Sequence, residues 1–321
     1  MPRIAMMIAA LAVPGTPATA QEWPARSLTM VVPFAASGEA DVLGRIVGRG
    51  VSDVLGKPVV IENISGGGGT TGAARVAKAA PDGYTFMFAG RGQFVLQAIS
   101  KSPLYGLSDF APVMLIAETP ILLIARNDLP ASGLAEFIAY AKANPDKLHY
   151  GSPGAGSTPH LSCVLFNNAT GIAATHVPYR SGGAAMQDLL ASRIDYQCTG
   201  VSTALGQIEA GKIKALAVLT RERSAIVPVI ASAHKQGVTG FDAAVWYALF
   251  LPKATPAAIV QKLAAATLRA IDMPAVQQHL HENGGTVVAP ERRSQDYLQT
   301  FVEGEIEKWG AAIKAAGVSA E

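Results

Sequence analysis

Short apolar runs alternate with longer amphipathic segments along this chain. The run Leu28-Thr-Met-Val-Val-Pro-Phe34 is rich in β-branched residues and predicts a buried strand. Val42–Leu55 then carries apolar residues at helical spacing and ends at Gly56 and Pro58, which stop a helix. Because the same succession continues down the chain, the pattern predicts an α/β fold with mostly parallel sheets flanked by helices.

The remaining elements follow the same rules. Apolar runs predict strands at Val59–Ile64, Thr85–Ala89, Val113–Ala117, Ile121–Arg126, Leu148–Gly151, Ile194–Cys198, Lys214–Leu219 and Val245–Leu251. Amphipathic segments predict helices at Thr71–Ala80, Leu134–Ala143, Pro159–Ala169, Ala184–Ser192, Pro256–Ile271 and Arg292–Ala316.

Two breaks divide these elements into groups. The chain has 321 residues, which is more than one hydrophobic core usually holds. Turn residues at Asn127–Pro130 and the region Gly237–Phe241 are typical of crossings between two lobes. We therefore expect residues 26–125 and 245–321 to form one discontinuous lobe and residues 126–244 to form the other.

Residues 1–20 have the parts of an export signal. Arg3 supplies a positive charge, Ile4–Val13 is an apolar core too short to cross a bilayer, and Ala18-Thr-Ala20 fits a cleavage site. No cysteine follows that site, which argues against a lipid anchor. We expect a soluble exported protein that begins at about Gln21; an uncleaved N-terminal anchor is the alternative.

Composition excludes several classes of function. Half of the residues are apolar and 16% are charged, which favours a compact globule over disorder. Basic and acidic residues nearly balance, and no basic cluster forms a nucleic-acid footprint. No His/Cys/Asp cluster has the spacing of metal ligands. We therefore expect no nucleic-acid partner, no metal and no cofactor.

The chain has two cysteines, Cys163 and Cys198. An even number of cysteines permits a disulfide in an oxidising compartment. However, Cys163 lies on the apolar side of a predicted helix and Cys198 lies in a predicted strand. Buried free thiols are the favoured interpretation.

The loop after the first strand is a candidate anion site. A strand, a tight loop of small residues and a helix start together direct backbone N–H groups at one point. We expect these groups and the Ser37 hydroxyl to hold a carboxylate, while Asp41 organises the loop or a bridging water. An ordinary capped loop is the alternative. The candidate ligand-binding residues are Phe34, Ala36, Ser37, Gly38 and Asp41.

A second loop of the same kind spans residues 151–160. Glycines and serines precede a predicted helix, and Thr158 followed by Pro159 predicts an N-cap with proline at the first helical position. His160 could contact a ligand, although packing or bonding to the loop backbone is slightly favoured. The candidate residues in this loop are Ser152, Gly154, Ser157, Thr158 and His160.

Further candidates lie in other loops. Arg91, followed by Gly92, offers a charged fork suited to a carboxylate; an ordinary surface arginine is the alternative. Tyr179 could line a cleft and Asp195 could orient neighbouring amides, or both could be structural. The stretch Gly66-Gly-Gly-Gly-Thr-Thr71 lacks the Lys-Ser/Thr of a phosphate-binding loop, so we favour a structural role for it.

Catalytic signatures are weak in this chain. Neither Ser152 nor Ser157 lies in a G-x-S-x-G motif, and no Ser/His/Asp set or carboxylate pair can be assigned. We expect a protein that is not an enzyme. A hydrolase that uses a Gly-Ser loop is the less favoured alternative.

Several stretches together carry a family likeness over the whole exported chain. In chain order they are Trp23–Arg26, Val31–Phe34 with Gly38, Asp41 and Arg45, Gly56–Asn63, Ala80–Thr85, Gly151–Ser152 with Gly154, Gly156, Ser157 and His160, Val177–Arg180, Gly182, Asp188–Leu190, Asp195, Ala210–Ile213 with Ala215–Val218, and Trp309–Gly310. On these residues the chain resembles the Bug-type (TctC-like) periplasmic solute receptors of tripartite tricarboxylate transporters.

The resemblance implies a Venus-flytrap fold, in which two α/β lobes enclose a deep cleft. It implies a periplasmic, monomeric receptor that captures a small organic acid, a mono- or dicarboxylate, and delivers it to membrane permease subunits. In the family, the loop matching Phe34–Asp41 grips one carboxylate, and the second lobe contributes the loop matching Gly151–His160 and residues near Asp195. A sensor that acts on a signalling receptor is the alternative.

This chain departs from the family pattern at two loops. The family loop usually reads Pro-Pro-Gly-Gly where this chain has Ala35-Ala-Ser-Gly38, and Glu39 adds a negative charge. Arg91 stands where small polar residues are usual. Arg91 could partner a further ligand carboxylate or neutralise Glu39. The ligand's identity is open at this point.

Overall fold

A computed structural model describes residues 22–239 and 242–315. The predicted export signal and part of the predicted crossing at 237–241 lie outside these residues. The strands are β1 (Leu28–Val32), β2 (Val59–Asn63), β3 (Thr85–Ala89), β4 (Phe110–Arg126), β5 (His149–Ser152), β6 (Thr175–Pro178), β7 (Tyr196–Gly200), β8 (Ile213–Val218), β9 (Ala244–Pro252) and β10 (Thr286–Val287).

Helices flank these strands. They are α1 (Glu39–Leu55), α2 (Thr70–Ala77), α3 (Arg91–Ile99), α4 (Leu134–Ala143), α5 (Thr158–Thr170), α6 (Gly182–Leu190), α7 (Val201–Glu209), α8 (Ala257–Ile271), α9 (Pro274–Glu282) and α10 (Gln295–Ala315). None of the helices in the described ranges is long and apolar enough to cross a membrane.

The strands form one curled, mixed sheet in the order β2-β1-β3-β9-β4-β7-β5-β6, with β8 and β10 also paired to β4. The long strand β4 connects two lobes: its first half pairs with β9 and β10, and its second half pairs with β7 and β8. Strands β1–β3 are parallel to one another, as are β5–β7, whereas β4 and β9 pair antiparallel. The predicted two-lobed α/β fold is confirmed.

Helix α1 shows why the predicted pattern produces this fold. Leu43, Val47 and Val51 recur at helical spacing, and all three are fully buried in the core of the first lobe. The helix ends where Gly56 adopts the left-handed conformation, and its N–H closes the last turn on the Ser52 carbonyl. The sequence therefore fixes which face of α1 packs on the sheet.

Some elements differ from the predicted ones. The strands predicted at 113–117 and 121–126 are one strand, because Glu118, Thr119 and Pro120 continue the pairing with β9. Helices α3, α7 and α9 and the short strands β6 and β10 were not predicted. Helix α3 begins Gly90-Arg-Gly, which resembles a loop in sequence; packing against the rest of the lobe overrides the low helix propensity of glycine there.

The prediction of two free thiols is wrong. Cys163 in α5 and Cys198 in β7 form a disulfide, with their Cα atoms 5.5 Å apart. Both side chains are fully buried, as predicted. The sequence pattern placed each thiol inside the protein, but it did not show that α5 packs directly on β7 and brings the two sulfurs together.

Candidate functional site

Five helices begin at one cavity between the lobes. Each helix has nine or more residues, and the N-terminus of each helix carries a partial positive charge and N–H groups without intrahelical partners. Helices α1 and α3 come from the first lobe, and α5, α6 and α7 come from the second. Their N-caps are Gly38, Gly90, Ser157, Ser181 and Gly200.

The position of the cavity follows from the sheet. In both lobes the loops after the parallel strands meet at this point, the usual place for ligands in α/β sheets. The cavity has a volume of about 50 Å³, so it suits a small molecule. It is lined by Phe34, Gly38, Glu39, Ala40, Gly90, Gln93, Pro153, Thr158, Pro159, Ser181, Gly182, Thr199, Gly200, Thr203, Val245 and Tyr247.

No lysine or arginine is among the described residues that line the cavity. The positive potential there comes instead from helix N-termini. Hydroxyl groups of Thr158, Ser181, Thr199 and Thr203 add hydrogen-bonding capacity at the wall. The arrangement is therefore suited to a small anion that accepts hydrogen bonds.

Asp41 organises the loop of the first lobe. Its carboxylate accepts hydrogen bonds from the Ser37 N–H at 2.9 Å, from Asn63 Nδ2 at 2.9 Å and from Arg45 Nε at 3.1 Å. Burial alone would raise the pKa of Asp41, but these donors outweigh it and hold the pKa below its usual value. Asn63 also donates to the Phe34 carbonyl, so one charged network fixes both ends of the loop.

Glu39, two residues earlier, is in a different environment. Its Oε1 accepts hydrogen bonds from Thr119 Oγ1 at 2.6 Å and from Tyr247 Oη at 2.8 Å. Its Oε2 is shielded from solvent and accepts no hydrogen bond from any residue in the described ranges. Burial raises the pKa of the Glu39 carboxyl, and the neighbouring hydroxyl groups only partly oppose that shift.

Neutral groups organise the loop of the second lobe. Ser157 is the N-cap of α5 and accepts a hydrogen bond from the His160 N–H, so the predicted cap at Thr158 is wrong by one residue. Ser157 Oγ also donates to the Gly154 carbonyl at 2.7 Å. His160 Nδ1 accepts from the Gly156 N–H at 3.1 Å, and Ser152 Oγ lies 2.7 Å from His176 Nε2.

His160 in this loop and His176 in the neighbouring strand β6 stay uncharged. Burial lowers the pKa of His160 to about 3, with a further contribution from His176, and burial lowers the pKa of His176 to about 4. Their rings lie 4.0 Å apart, and both contact the Tyr150 ring. The second lobe therefore brings no side-chain charge to its loop.

The lobes contact each other around the cavity. The Gly92 N–H donates to Thr158 Oγ1 at 3.2 Å, and the Ala35 N–H donates to the Arg180 carbonyl at 3.4 Å. A Cβ placed on Gly68 would overlap the Ala155 carbonyl of the second lobe. The glycine run Gly66–Gly69 thus has a structural use, because it allows close approach of the two lobes.

The predicted site residues fall into several groups. Phe34, Gly38 and Thr158 line the cavity, whereas Gly154 and Tyr179 line an open groove beside it. The remaining candidates have other positions: Ala36 and Ser37 are exposed, Gly92 makes an interlobe contact, and Asp41, Ser152, Ser157 and His160 hold the loops in place.

Arg91 is not available to a ligand in this structure. Its guanidinium binds Glu305 Oε2 at 2.5–2.6 Å, donates to the Ala244 carbonyl at 2.7 Å and stacks 4.0 Å from the Trp309 ring. It therefore does not neutralise Glu39 either. The sequence showed a charged residue between glycines, but its partner lies more than 200 positions away.

Asp195 lies at the wrong end of its strand to contact the cavity. It precedes β7, whereas the cavity is at Gly200, where β7 ends. Five residues of strand span roughly 16 Å. Its carboxylate instead bonds Arg126 Nε at 3.0 Å and the His149 N–H at 2.7 Å.

The sequence prediction missed much of the cavity wall. Glu39 was noted only as an additional charge, and Gly200, Thr203 and Tyr247 were not candidates. Gly200 follows a buried strand and precedes a helix, which is the same signal that drew attention to Gly38. Tyr247 gave no local signal, because it comes from the middle of the β9 run.

The comparisons agree with this geometry. The model of the tripartite tricarboxylate transporter family receptor, TctC, matches residues 43–318. The chain belongs to this family. The members of this family are periplasmic solute-binding receptors, so the resemblance expected from the sequence is confirmed.

Related proteins extend the likeness over nearly the whole chain. Protein BugT of Bordetella pertussis is 31% identical over 94% of this chain and 92% of its own. The structure of the periplasmic binding protein BugD is 33% identical, with a TM-score of 0.88 over 92% of this chain and 99% of that one. MatC of Rhodopseudomonas palustris, solved with bound malate, is 37% identical, with a TM-score of 0.87 over 91% and 100%.

Proposed function

We propose that this protein captures a small organic acid, a mono- or dicarboxylate, in the interlobe cavity and delivers it to the membrane permease subunits of a tripartite tricarboxylate transporter. The observation that carries the proposal is the convergence of five helix N-termini on one cavity that no described lysine or arginine lines. Backbone N–H groups at helix starts bind carboxylates well. The malate bound to the related MatC supports the same ligand class.

We further propose that capture works by closure of two lobes, residues 26–125 with 245–321 and residues 126–244, in the periplasm. Contacts across the cavity, such as Gly92 with Thr158, support a closed arrangement. A ligand that bridges both walls would favour this state over an open one, because it binds the closed state better. The permease would then distinguish the closed form.

Hydrolysis has less support from the structure. Ser152 pairs with His176 at 2.7 Å, but Ser152 is fully buried and is not among the residues lining the cavity. Its hydroxyl also donates to the Gly154 carbonyl and accepts from the Gly154 N–H. These contacts describe a serine that holds a loop rather than a nucleophile poised at a substrate.

Thermal-shift measurements test the proposed ligand class. Purified protein without residues 1–20 is melted with acetate, lactate, malate, succinate, adipate and citrate. At least one acid should raise the melting temperature in a concentration-dependent way. If none does so at millimolar concentration, the ligand class is wrong; if the acid is consumed, the protein is an enzyme.

A matched pair of glycine variants locates the site. A Cβ on Gly182 would lie 3.4 Å from Thr199 Oγ1 and 3.6 Å from Thr203 Oγ1, which is ordinary contact beside the cavity. Gly182→Ala should therefore fold and weaken binding about tenfold by intruding on the ligand. Gly206→Ala on α7, where a Cβ meets nothing within 4 Å, is the control and should bind normally.

Uptake measurements test delivery. Cells that lack this protein should take up the identified acid more slowly than wild-type cells. In cells that already lack the permease, uptake should be slow, and removing this protein as well should not slow it further. If binding is intact but uptake is unaffected, the sensor interpretation replaces the transport interpretation.

A further inference from the structure

Glu39 has an unusual division between its two carboxyl oxygens. Oε1 accepts two hydrogen bonds, from Thr119 Oγ1 at 2.6 Å and from Tyr247 Oη at 2.8 Å. Oε2 is shielded from solvent and has no partner among the described residues. A buried carboxylate oxygen without a donor is costly, and protonation replaces this cost with the smaller one of an unpartnered neutral O–H group, while the carbonyl oxygen Oε1 keeps its two hydrogen bonds.

The carboxyl group lies at the contact between the lobes. Glu39 begins α1 of the first lobe, Thr119 lies in the connecting strand β4, and Tyr247 lies in β9. On the other side, a Cβ placed on Gly200, the N-cap of α7 in the second lobe, would overlap Oε2. The approach of the second lobe therefore completes the burial of this oxygen.

Among the described residues, the side chains that face the Glu39 carboxyl carry no formal charge. They are the hydroxyls of Thr119, Ser202 and Tyr247, each of which favours the ionised form, although the Ser202 hydroxyl completes no hydrogen bond to a described residue. The partial positive charge at the N-terminus of α7 favours the ionised form as well. Burial outweighs the three hydroxyls and raises the pKa of Glu39 above the usual 4.5. Tyr247 is the only other titratable group among them, and burial raises its pKa well above 10, so it stays neutral.

We propose that Glu39 couples ligand capture to proton uptake: closure of the lobes buries its protonated carboxyl against Gly200 at the start of α7. This proposal rests on the proposed function, because it assumes that ligand binding closes the lobes. With the lobes apart, water would solvate Oε2 and the carboxyl would ionise normally. Closure would then take up one proton at any pH between the usual pKa of Glu39 with the lobes apart and its raised pKa with the lobes closed.

Acid should therefore favour capture. Glu39 ionised at the moment of closure would bring a second negative charge beside the ligand's carboxylate, and the two charges would destabilise each other. Affinity should fall as pH rises from about 4.5 through the raised pKa of Glu39, by at most tenfold per pH unit for one proton. Below this window Glu39 is neutral in both states and the dependence should disappear.

Calorimetric titration with malate and with adipate from pH 5 to 8 tests the coupling. In buffers of different ionisation enthalpy, the wild-type protein should take up a proton on binding within the window, and affinity should fall with rising pH. Glu39→Gln keeps the shape and one acceptor oxygen but cannot titrate, so its affinity should change less than twofold after the shared titration of the ligand is considered. Equal proton uptake in the two proteins would overturn the proposal.

Two further measurements keep the outcomes separate. Thr119→Val removes a donor that favours ionised Glu39, so the wild-type pH profile should move to higher pH. With saturating acid, the melting temperature of wild type relative to Glu39→Gln should fall as pH rises above 4.5, because the carboxyl buried by closure must ionise; without ligand the lobes are apart and the difference should not change with pH. A difference that stays constant with pH in saturating acid contradicts the proposal, whereas failure of every acid to raise the melting temperature of either protein counts against the proposed ligand class.

Discussion

The first-lobe wall of the cavity is organised by charged groups, whereas the second-lobe wall is organised by neutral ones. In the first lobe, ionised Asp41 gathers the Ser37 N–H, Asn63 and Arg45. In the second, serine hydroxyls and the uncharged His160 hold the loop, and a disulfide ties its helix to the sheet. In both lobes the loop is held so that helix N-termini face the cavity, and no described lysine or arginine lines it.

The comparison teaches how a site for an anion can be built from backbone groups. Asp41 is a full negative charge near the site, but its charge is compensated by Arg45 at 2.9 Å. Glu39 lines the cavity itself, and its burial favours the neutral form. The negative charge of Asp41 is thus paired with a cation, whereas at Glu39, beside the cavity, burial opposes ionisation.

Removing the disulfide should give the largest effect on the second-lobe wall. The crosslink spans 35 residues, so Cys163→Ser should reduce the free energy of unfolding by about 3–4 kcal/mol. Chemical denaturation with and without reductant measures this loss. Reductant should destabilise the wild type and leave the variant unchanged; a wild type insensitive to reductant would show that the second wall does not depend on the crosslink.

Removing Asp41 should affect the first-lobe wall almost as strongly. Asp41→Ala leaves the Ser37 N–H, Asn63 and Arg45 without their acceptor, which should cost about 2–3 kcal/mol and weaken acid binding. Asp53→Ala, on the exposed side of the same helix, is the matched control. Equal stability of the two variants would mean that the charged network does not hold the loop.

Lowering the pH should destabilise the second-lobe wall through its partly buried, uncharged His176. The pKa of His176 is about 4 in the folded protein and near 6.5 when unfolded. Its contribution to stability is present above pH 6.5 and is lost as pH falls from 6.5 towards 4. His176→Phe, which keeps the ring contacts, should reduce this loss by about 1 kcal/mol at pH 5, allowing for partial exposure.

The measurement is the pH dependence of melting between pH 7 and 5, compared with the exposed control His281→Gln. His176→Phe also loses the contact with Ser152, so the slope and not the absolute melting temperature is the relevant quantity. If melting temperature changes equally with pH in wild type and in His176→Phe, His176 does not contribute to the loss of stability at low pH.

The smallest expected effect is on ligand affinity, from a substitution at Thr158, where the two lobes contact each other. Thr158→Val removes the acceptor of the Gly92 N–H and a hydroxyl at the cavity, so binding of the acid should weaken by about two- to fivefold. Thr158→Ser keeps the hydroxyl and should bind like the wild type. Unchanged affinity in folded Thr158→Val would exclude this residue from the site.

Local pattern predicted most elements of the fold. Helix α4 has the predicted bounds Leu134–Ala143 and β3 has the predicted bounds Thr85–Ala89, because a continuous apolar stripe or run ends at clear turn residues. The pattern failed where packing decides. The glycines that begin α3 suggested a loop, and residues 118–120 suggested a break in what is one strand.

The site was predictable only where its signal is local. Gly38 and Thr158 follow a strand and begin a helix, so their positions at the cavity could be expected. The environment of Glu39 depends on Thr119, 80 residues away, and on Tyr247, 208 residues away. Likewise Glu305, which binds Arg91, is 214 residues distant. No local pattern contains these pairings.

The central claim is that helix N-termini hold a carboxylate in the interlobe cavity. It is tested most directly by calorimetric titration with the acid that gives the largest melting shift and with its neutral amide of nearly the same shape. We expect the acid to bind at least about tenfold more tightly than the amide, since five helix N-termini each favour a negative charge. Equal affinity for the acid and the amide would contradict it.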